Sequence, residues 1–155
     1  MTAREVLVPI GEKPALAAMM QDYIAEMAQI IPGVRLGQPY PQFDLYWSEP
    51  DSRWPFWLKV DDANAGFALV SRDVQAAHFE MEEFFVVREY RHRGIGLAAA
   101  RRLIGRYPGP WTITQRESNA RAIAFWHRVL DGFVDYDETT TERDAIRREQ
   151  RFTVA

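Results

Sequence analysis

Apolar residues change their spacing several times along the chain, and each change marks an element. Residues 4–10 (REVLVPI) are rich in β-branched side chains and predict a first strand. From Lys13 to Ile31 the apolar positions Leu16, Met19, Met20, Tyr23, Ile24, Met27, Ile30 and Ile31 recur at three and four, which predicts a helix with one buried face. Pro14 suits its first turn and Pro32-Gly33 stops it. Prolines then punctuate residues 32–55, which read as loop with short extended or helical pieces. Tyr40, Phe43, Tyr46, Trp47 and Trp54 lie in this stretch, so it either packs on the core or lines a pocket.

Residues 56–60 (FWLKV) and 66–71 (GFALVS) predict a hairpin turning at 61–64. Residues 77–87 predict a longer strand, with Phe79, Met81 and Glu83 on one face and Glu80, Glu82, Phe84 and Val86 on the other. Only a bulge would re-aim Glu83. A helix follows from Gly94 to Tyr107, broken by Pro108-Gly109-Pro110, then a strand at 111–115. Ser118 or Asn119 caps a last helix that runs to Leu130 and ends at Asp131-Gly132. Residues 133–139 and 150–154 are closing strands, separated by a charged insertion that can be helical. This order of strands and helices indicates one α/β (α+β) domain over residues 1–155, built on a mixed sheet.

Composition narrows the chemistry. The 155 residues include no cysteine, which excludes disulfides, thiolate zinc sites and a cysteine nucleophile. Three histidines make a histidine metal site a poor candidate, so no metal is expected. The net charge of −3 gives no support to nucleic-acid binding. No apolar run reaches the roughly 18 residues of a membrane span, and the first residues lack a signal-peptide layout. The expectation is therefore a soluble cytoplasmic protein. Seventeen of the 19 basic residues are arginine, the better bidentate phosphate binder, so it matters whether any of them cluster.

They cluster in residues 84–104, FFVVREYRHRGIGLAAARRLI. A strand runs into a turn holding Arg91, His92, Arg93, Gly94, Ile95 and Gly96, and a helix follows at once. Glycine lets the backbone turn tightly and approach a ligand. The unpaired amides and positive dipole end of a new helix bind phosphate, and Arg88, Arg91 and Arg93 add charge beside them. The turn is neither a dinucleotide fingerprint, which needs a third glycine, nor a Walker loop.

Arg91-x-x-Gly94-x-Gly96 after an apolar strand resembles the pyrophosphate-binding motif of the GNAT superfamily of acetyl-CoA-dependent N-acetyltransferases. Residues 119–126 (NARAIAFW), followed by Gly132-Phe133, resemble that superfamily's second motif. The resemblance implies a single domain with a mixed, mostly antiparallel sheet of about six or seven strands flanked by helices. It implies acetyl-CoA as co-substrate and a small-molecule or peptide amine as acceptor. Backbone groups of Phe84 and Val86 would pair with the pantetheine arm, and amides from His92 to Leu97, including Ile95 and Gly96, would hold the pyrophosphate with Arg91 and Arg93 nearby. Asn119 would contact the cofactor arm, and a strand amide near Val86 would meet the thioester oxygen. Glu80 and Glu82 are the candidate general bases, since a carboxylate can take the amine proton. Clustered carboxylates raise one another's pKa, which helps near neutrality.

Trp126 also belongs to the cofactor-binding set but departs from the family, which commonly places an acidic tyrosine there. An indole N–H donates a hydrogen bond but is no acid in this range. Tyr90, Tyr136, His127 or solvent would have to substitute. The same departure keeps a non-catalytic acyl-CoA-binding or sensor module open as the alternative. The closing strands often pair in this superfamily, which makes a homodimer a further expectation.

Overall fold

The computed structural model describes residues 2–142 and 144–155. The chain runs through β1 (Ala3–Leu7), α1 (Lys13–Ala28), the one-turn α2 (Leu45–Ser48), β2 (Arg53–Val60), β3 (Ala63–Asp73) and β4 (His78–Val86). It continues through α3 (Ile95–Gly105), β5 (Gly109–Arg116), α4 (Ala120–Leu130), β6 (Val134–Glu142) and β7 (Ile146–Val154). The strands form one seven-stranded sheet in the order β1-β2-β3-β4-β5-β7-β6. Every neighbouring pair is antiparallel except β4 and β5, which run parallel.

Helices cover both faces of the sheet's first half. Phe56, Leu58, Val70 and Met81 pack with Leu103, Ile104, Trp126 and Val129, which places α3 and α4 on one face. Trp57, Phe67, Leu69 and Phe85 pack with Leu16, Met20, Ile24 and Tyr46, which places α1 and α2 on the other. Strand β2 is therefore buried on both sides, and its apolar run F-W-L needs no polar alternation.

Three details differ from the reading of the sequence. First, α1 ends at Ala28 rather than Ile31. Pro32 disfavours helical backbone at the residue before it, and the Ile30 and Ile31 amides close a turn onto Met27 O. Second, the charged stretch between the last two strands is not helical. It extends a hairpin, with Thr140 opposite Arg148 and Thr139 opposite Glu149. Consecutive threonines favour the pleated backbone, and Glu138 pairs with Arg148 across the strands. Arg143 of this stretch lies outside the described residues.

Third, β4 carries a bulge. Leu69 pairs with Glu83 and Val70 with Met81, which leaves Glu82 without a register partner. The extra residue shifts the alternation by one. Phe84 and Val86 consequently join Met81 on the α3/α4 face, while Phe85 joins the α1 core. The expected sharing of a face by Glu80, Glu82, Phe84 and Val86, and by Phe79, Met81 and Glu83, is corrected by this single residue. Glu82 and Glu83 both point to the α1/α2 side, where Glu82 accepts from Ser71 Oγ and Glu83 from Tyr23.

Candidate active site

The parallel pairing of β4 and β5 lasts for two residues, Phe79 with Trp111 and Glu80 with Thr112. Beyond that point β4 pairs, among the described residues, with β3 alone, and a wedge opens in the sheet. Val87 N–H donates to Ala65 O of β3 at 2.8 Å. The twofold period of a strand puts Phe85 on the same side and turns the backbone of Phe84 and Val86 into the gap. Gly66 makes this pairing possible, because a Cβ there would lie 2.0 Å from Phe85 O.

At the mouth of the wedge the chain makes a short 3-10 turn, Arg88–Tyr90, and enters the arginine-glycine loop. His92 and Gly94 both adopt left-handed backbone, with φ of 62° and 75°. Gly94 is the residue before α3, so the amides of Ile95, Gly96 and Leu97 in the first helical turn have no carbonyl behind them. A Cβ on Gly96 would sit 3.3 Å from Val86 Cγ2 and 3.4 Å from Phe125, so glycine keeps the helix end close to β4. On the opposite wall, Asn119 caps α4 by accepting from Ala122 N at 3.2 Å, and its Nδ2 reaches Met27 Sδ of α1. Trp126 is 5% exposed and stands edge-on to Phe84 and Phe125.

One cavity of about 950 Å³ collects these groups. Its lining includes Glu82, Phe84 and Val86 from β4, His92, Gly94, Ile95, Gly96 and Leu97 from the turn, and Asn119 and Trp126 from α4. Arg91 lines it too, but its guanidinium is engaged. It donates to Glu26 of α1 at 2.7 and 2.6 Å and to Val86 O at 2.8 Å. Arg93 is exposed, lies over the Tyr90 ring and is not part of the lining. Of the expected acid substitutes, His127 is paired with Glu138 at 2.7 Å and Tyr136 is exposed on β6; neither reaches the cavity, whereas Tyr90 does.

The candidate bases are neighbours that line different grooves. Glu80 bonds His78 at 2.8 Å and faces a different, polar groove over β5 and β7. Glu82 stands at the mouth of the wedge cavity and keeps solvent contact. Crowding by protein atoms, followed by the neighbouring carboxyls of Glu80 and Glu83, pushes its pKa up to about 7. Ser71 Oγ at 2.7 Å opposes that rise. Glu83 is half-buried, and desolvation raises its carboxyl against the pull of two hydroxyl donors, Tyr23 at 2.5 Å and Tyr40 at 3.0 Å. Strand alternation alone placed Glu83 on the wrong face, and Glu26 carried no local signal at all. Tyr40 was visible in the sequence as part of the aromatic segment that either packs on the core or lines a pocket.

The chain matches the family model for the acetyltransferase (GNAT) family over residues 17–131. No curated protein matches it in sequence. Its fold is similar to the ribosomal-protein-S18-alanine N-acetyltransferase of Escherichia coli, with 16% identity, a TM-score of 0.67 and coverage of 99% of this chain and 95% of that one. It is also similar to a putative acetyltransferase of Salmonella typhimurium solved with acetyl-CoA, at 14% identity, TM-score 0.72 and coverage of 100% and 95%. An aminoglycoside acetyltransferase solved with coenzyme A and kanamycin gives 12% identity, TM-score 0.69 and coverage of 98% and 95%. With the family model spanning most of its length, and the sheet wedge, glycine turn and capped α4 in their places, this chain belongs to the GNAT acetyltransferase family.

Proposed function

We propose that this protein transfers an acetyl group from acetyl-CoA directly to an amine, with Glu82 as general base. The observation that carries this reading is the single cavity that joins the first turn of α3, the free edge of β4 and the Glu82 carboxyl. The residues present fit the co-substrate. Unpaired amides of Ile95, Gly96 and Leu97 suit a pyrophosphate, and a side chain at position 96 would press on Val86 and Phe125 beside it. The gap-facing backbone of Phe84 and Val86 suits an amide-bearing arm added as a strand.

Acetyl-CoA supplies a thioester whose carbonyl carbon is open to a neutral amine. Glu82 accepts the proton that the ammonium must lose, and a carboxyl near 7 is basic enough to take it while about half of it is deprotonated at neutral pH. The Val86 N–H, facing the gap, supplies the donor for charge growing on the carbonyl oxygen. Asn119 and Trp126 form the far wall. The leaving thiolate resembles a thiol of pKa about 8.5, so solvent suffices as proton source. The chain has no cysteine, so no thiol of its own can carry the acyl group. Arg91 serves by fixing the end of β4 rather than by free charge.

The test is calorimetric titration with acetyl-CoA, followed by thiol release on an amine panel. Binding with amine-dependent release is expected. No binding at millimolar acetyl-CoA overturns the reading, and binding without release for any amine leaves the non-catalytic module motivated by Trp126.

A further inference from the structure

We infer that the acceptor is an α-amino acid with an apolar side chain, and that Arg116 binds its carboxylate. This rests on the acetyl-transfer reading above. Trp111 and Ile113 of β5 pack in the α3/α4 core, so strand alternation turns Thr112, Thr114 and Arg116 to the α1/α2 side of the sheet. Glu82 and Glu83 point to that side as well, from the other bank of the wedge. Helix α3 packs on the opposite face, so Arg116 stands apart from the amides that suit the pyrophosphate.

Five arginines line the cavity, and their partners sort them. Arg91 and Arg121 lean on Glu26, Arg147 hydrogen-bonds Asp144, and Arg128 is exposed on α4. Arg116 is half-buried, and among the described residues no carboxylate stands within ion-pair distance of its guanidinium. Asp144 feels its charge but is exposed and bonded to Arg147. The register partner of Arg116 across the β5–β7 ladder is that same Arg147. Like charges placed directly opposite repel, and a half-buried guanidinium loses hydration. An anion beside the pair relieves both costs, and a carboxylate matches the guanidinium fork with two parallel hydrogen bonds. On the facing wall, Gln38 Oε1 accepts from Arg35 N–H at 2.7 Å, which leaves its Nε2 to donate into the cavity.

The strands set the spacing. Thr112 stands beside Glu80 in the parallel pair. Arg116 lies four residues further along β5 and Glu82 two further along β4, so the two side chains start about 7 Å apart along the strands. An α-amino acid fills that interval with its nitrogen at Glu82 and its carboxylate at Arg116. Ile30, Ile31, Val34 and Tyr40 line the same cavity and offer its side chain an apolar surface.

The experiment compares L-leucine with L-leucinamide as acceptors, using the full chain and saturating acetyl-CoA. The two share a side chain and differ in the charge of the carboxyl group. The amide has the less basic amine, so basicity alone would favour it. Leucine is expected to have the higher kcat/KM by about tenfold to a hundredfold, the worth of a charged hydrogen bond. Arg116→Gln should lower the leucine-to-leucinamide ratio by about tenfold or more, and Arg116→Lys should restore part of it, with acetyl-CoA still bound in calorimetry. Equal or better use of leucinamide by the wild type, or a ratio unchanged in Arg116→Gln, overturns the inference. Transfer to neither probe, with thiol release from another amine, overturns it too. Loss of acetyl-CoA binding by the wild-type chain would instead strike the acetyl-transfer reading itself.

Discussion

Arg91 and Glu26 are 65 positions apart and face each other through two hydrogen bonds of 2.7 and 2.6 Å. The third donor of Arg91 holds Val86 O, so α1, the end of β4 and the glycine turn are tied at one guanidinium. Arg121 of α4 adds a longer contact to the same carboxylate at 3.9 Å. The side chains of Arg91 and Glu26 are 15% and 18% exposed, so little solvent screens the pair.

Glu26→Gln should therefore lower stability by about 2 kcal/mol and weaken acetyl-CoA binding through the displaced loop. The Arg91 hydrogen bonds hold the Glu26 carboxyl below the usual carboxylate range. A lowered carboxyl stabilises the fold above its unfolded pKa of about 4.3 and loses that contribution as pH falls through the folded value. Urea melts between pH 3 and pH 7 should show less acid sensitivity in the variant than in wild type. Identical slopes would remove the pair from the stability account.

Glu82→Gln should reduce kcat by about a hundredfold or more, in line with loss of a general base. In wild type the rate should fall as pH drops below about 7, where Glu82 becomes protonated. Desolvation is the largest cause of this value; Glu80 and Glu83 on its own strand raise it further and Ser71 on β3 opposes them. The stability sign is opposite to that of Glu26. A raised carboxyl binds more protons folded than unfolded, so its contribution to stability declines as pH rises from about 4.3 toward 7. Glu82→Gln should accordingly melt higher than wild type at pH 8, measured by thermal scan.

Gly66→Ala should be destabilising by about 2–3 kcal/mol, because the added carbon meets the Phe85 carbonyl at 2.0 Å and that carbonyl is fixed in the β3–β4 ladder. Gly11→Ala has nothing within 4 Å and should change stability by no more than about 0.5 kcal/mol. Gly96→Val, pressed on Val86 and Phe125, should weaken acetyl-CoA by about a hundredfold in calorimetry. Unchanged affinity would assign the phosphate to another loop.

Gln115 and Gln150 exchange hydrogen bonds of 2.7 and 2.8 Å, and Gln150 also donates to Glu138 at 2.7 Å. Gln150 is wholly buried, so Gln150→Leu leaves both partners short of a hydrogen bond. A loss of about 2–3 kcal/mol is expected in urea unfolding, with acetyl-CoA affinity retained.

The sequence by itself determined what depends on neighbours in the chain. The glycine turn, the α3 start and the Asn119 cap are local hydrogen-bonding and backbone problems, and a few adjacent residues answer them. The periodicity of Leu16 to Ile24 likewise placed one buried face of α1. Only the tertiary structure decided the rest. The bulge at Glu82 exists because β3 imposes a register on β4, and one unpaired residue reversed the faces of every side chain after it. Arg91 reads as a free phosphate ligand until α1 brings Glu26 to it. The arginine-rich closing segment reads as an insertion until strand pairing sets its charges opposite partners. Side-chain orientation and ionic pairing are fixed by strand register and helix docking, which join residues far apart in the chain.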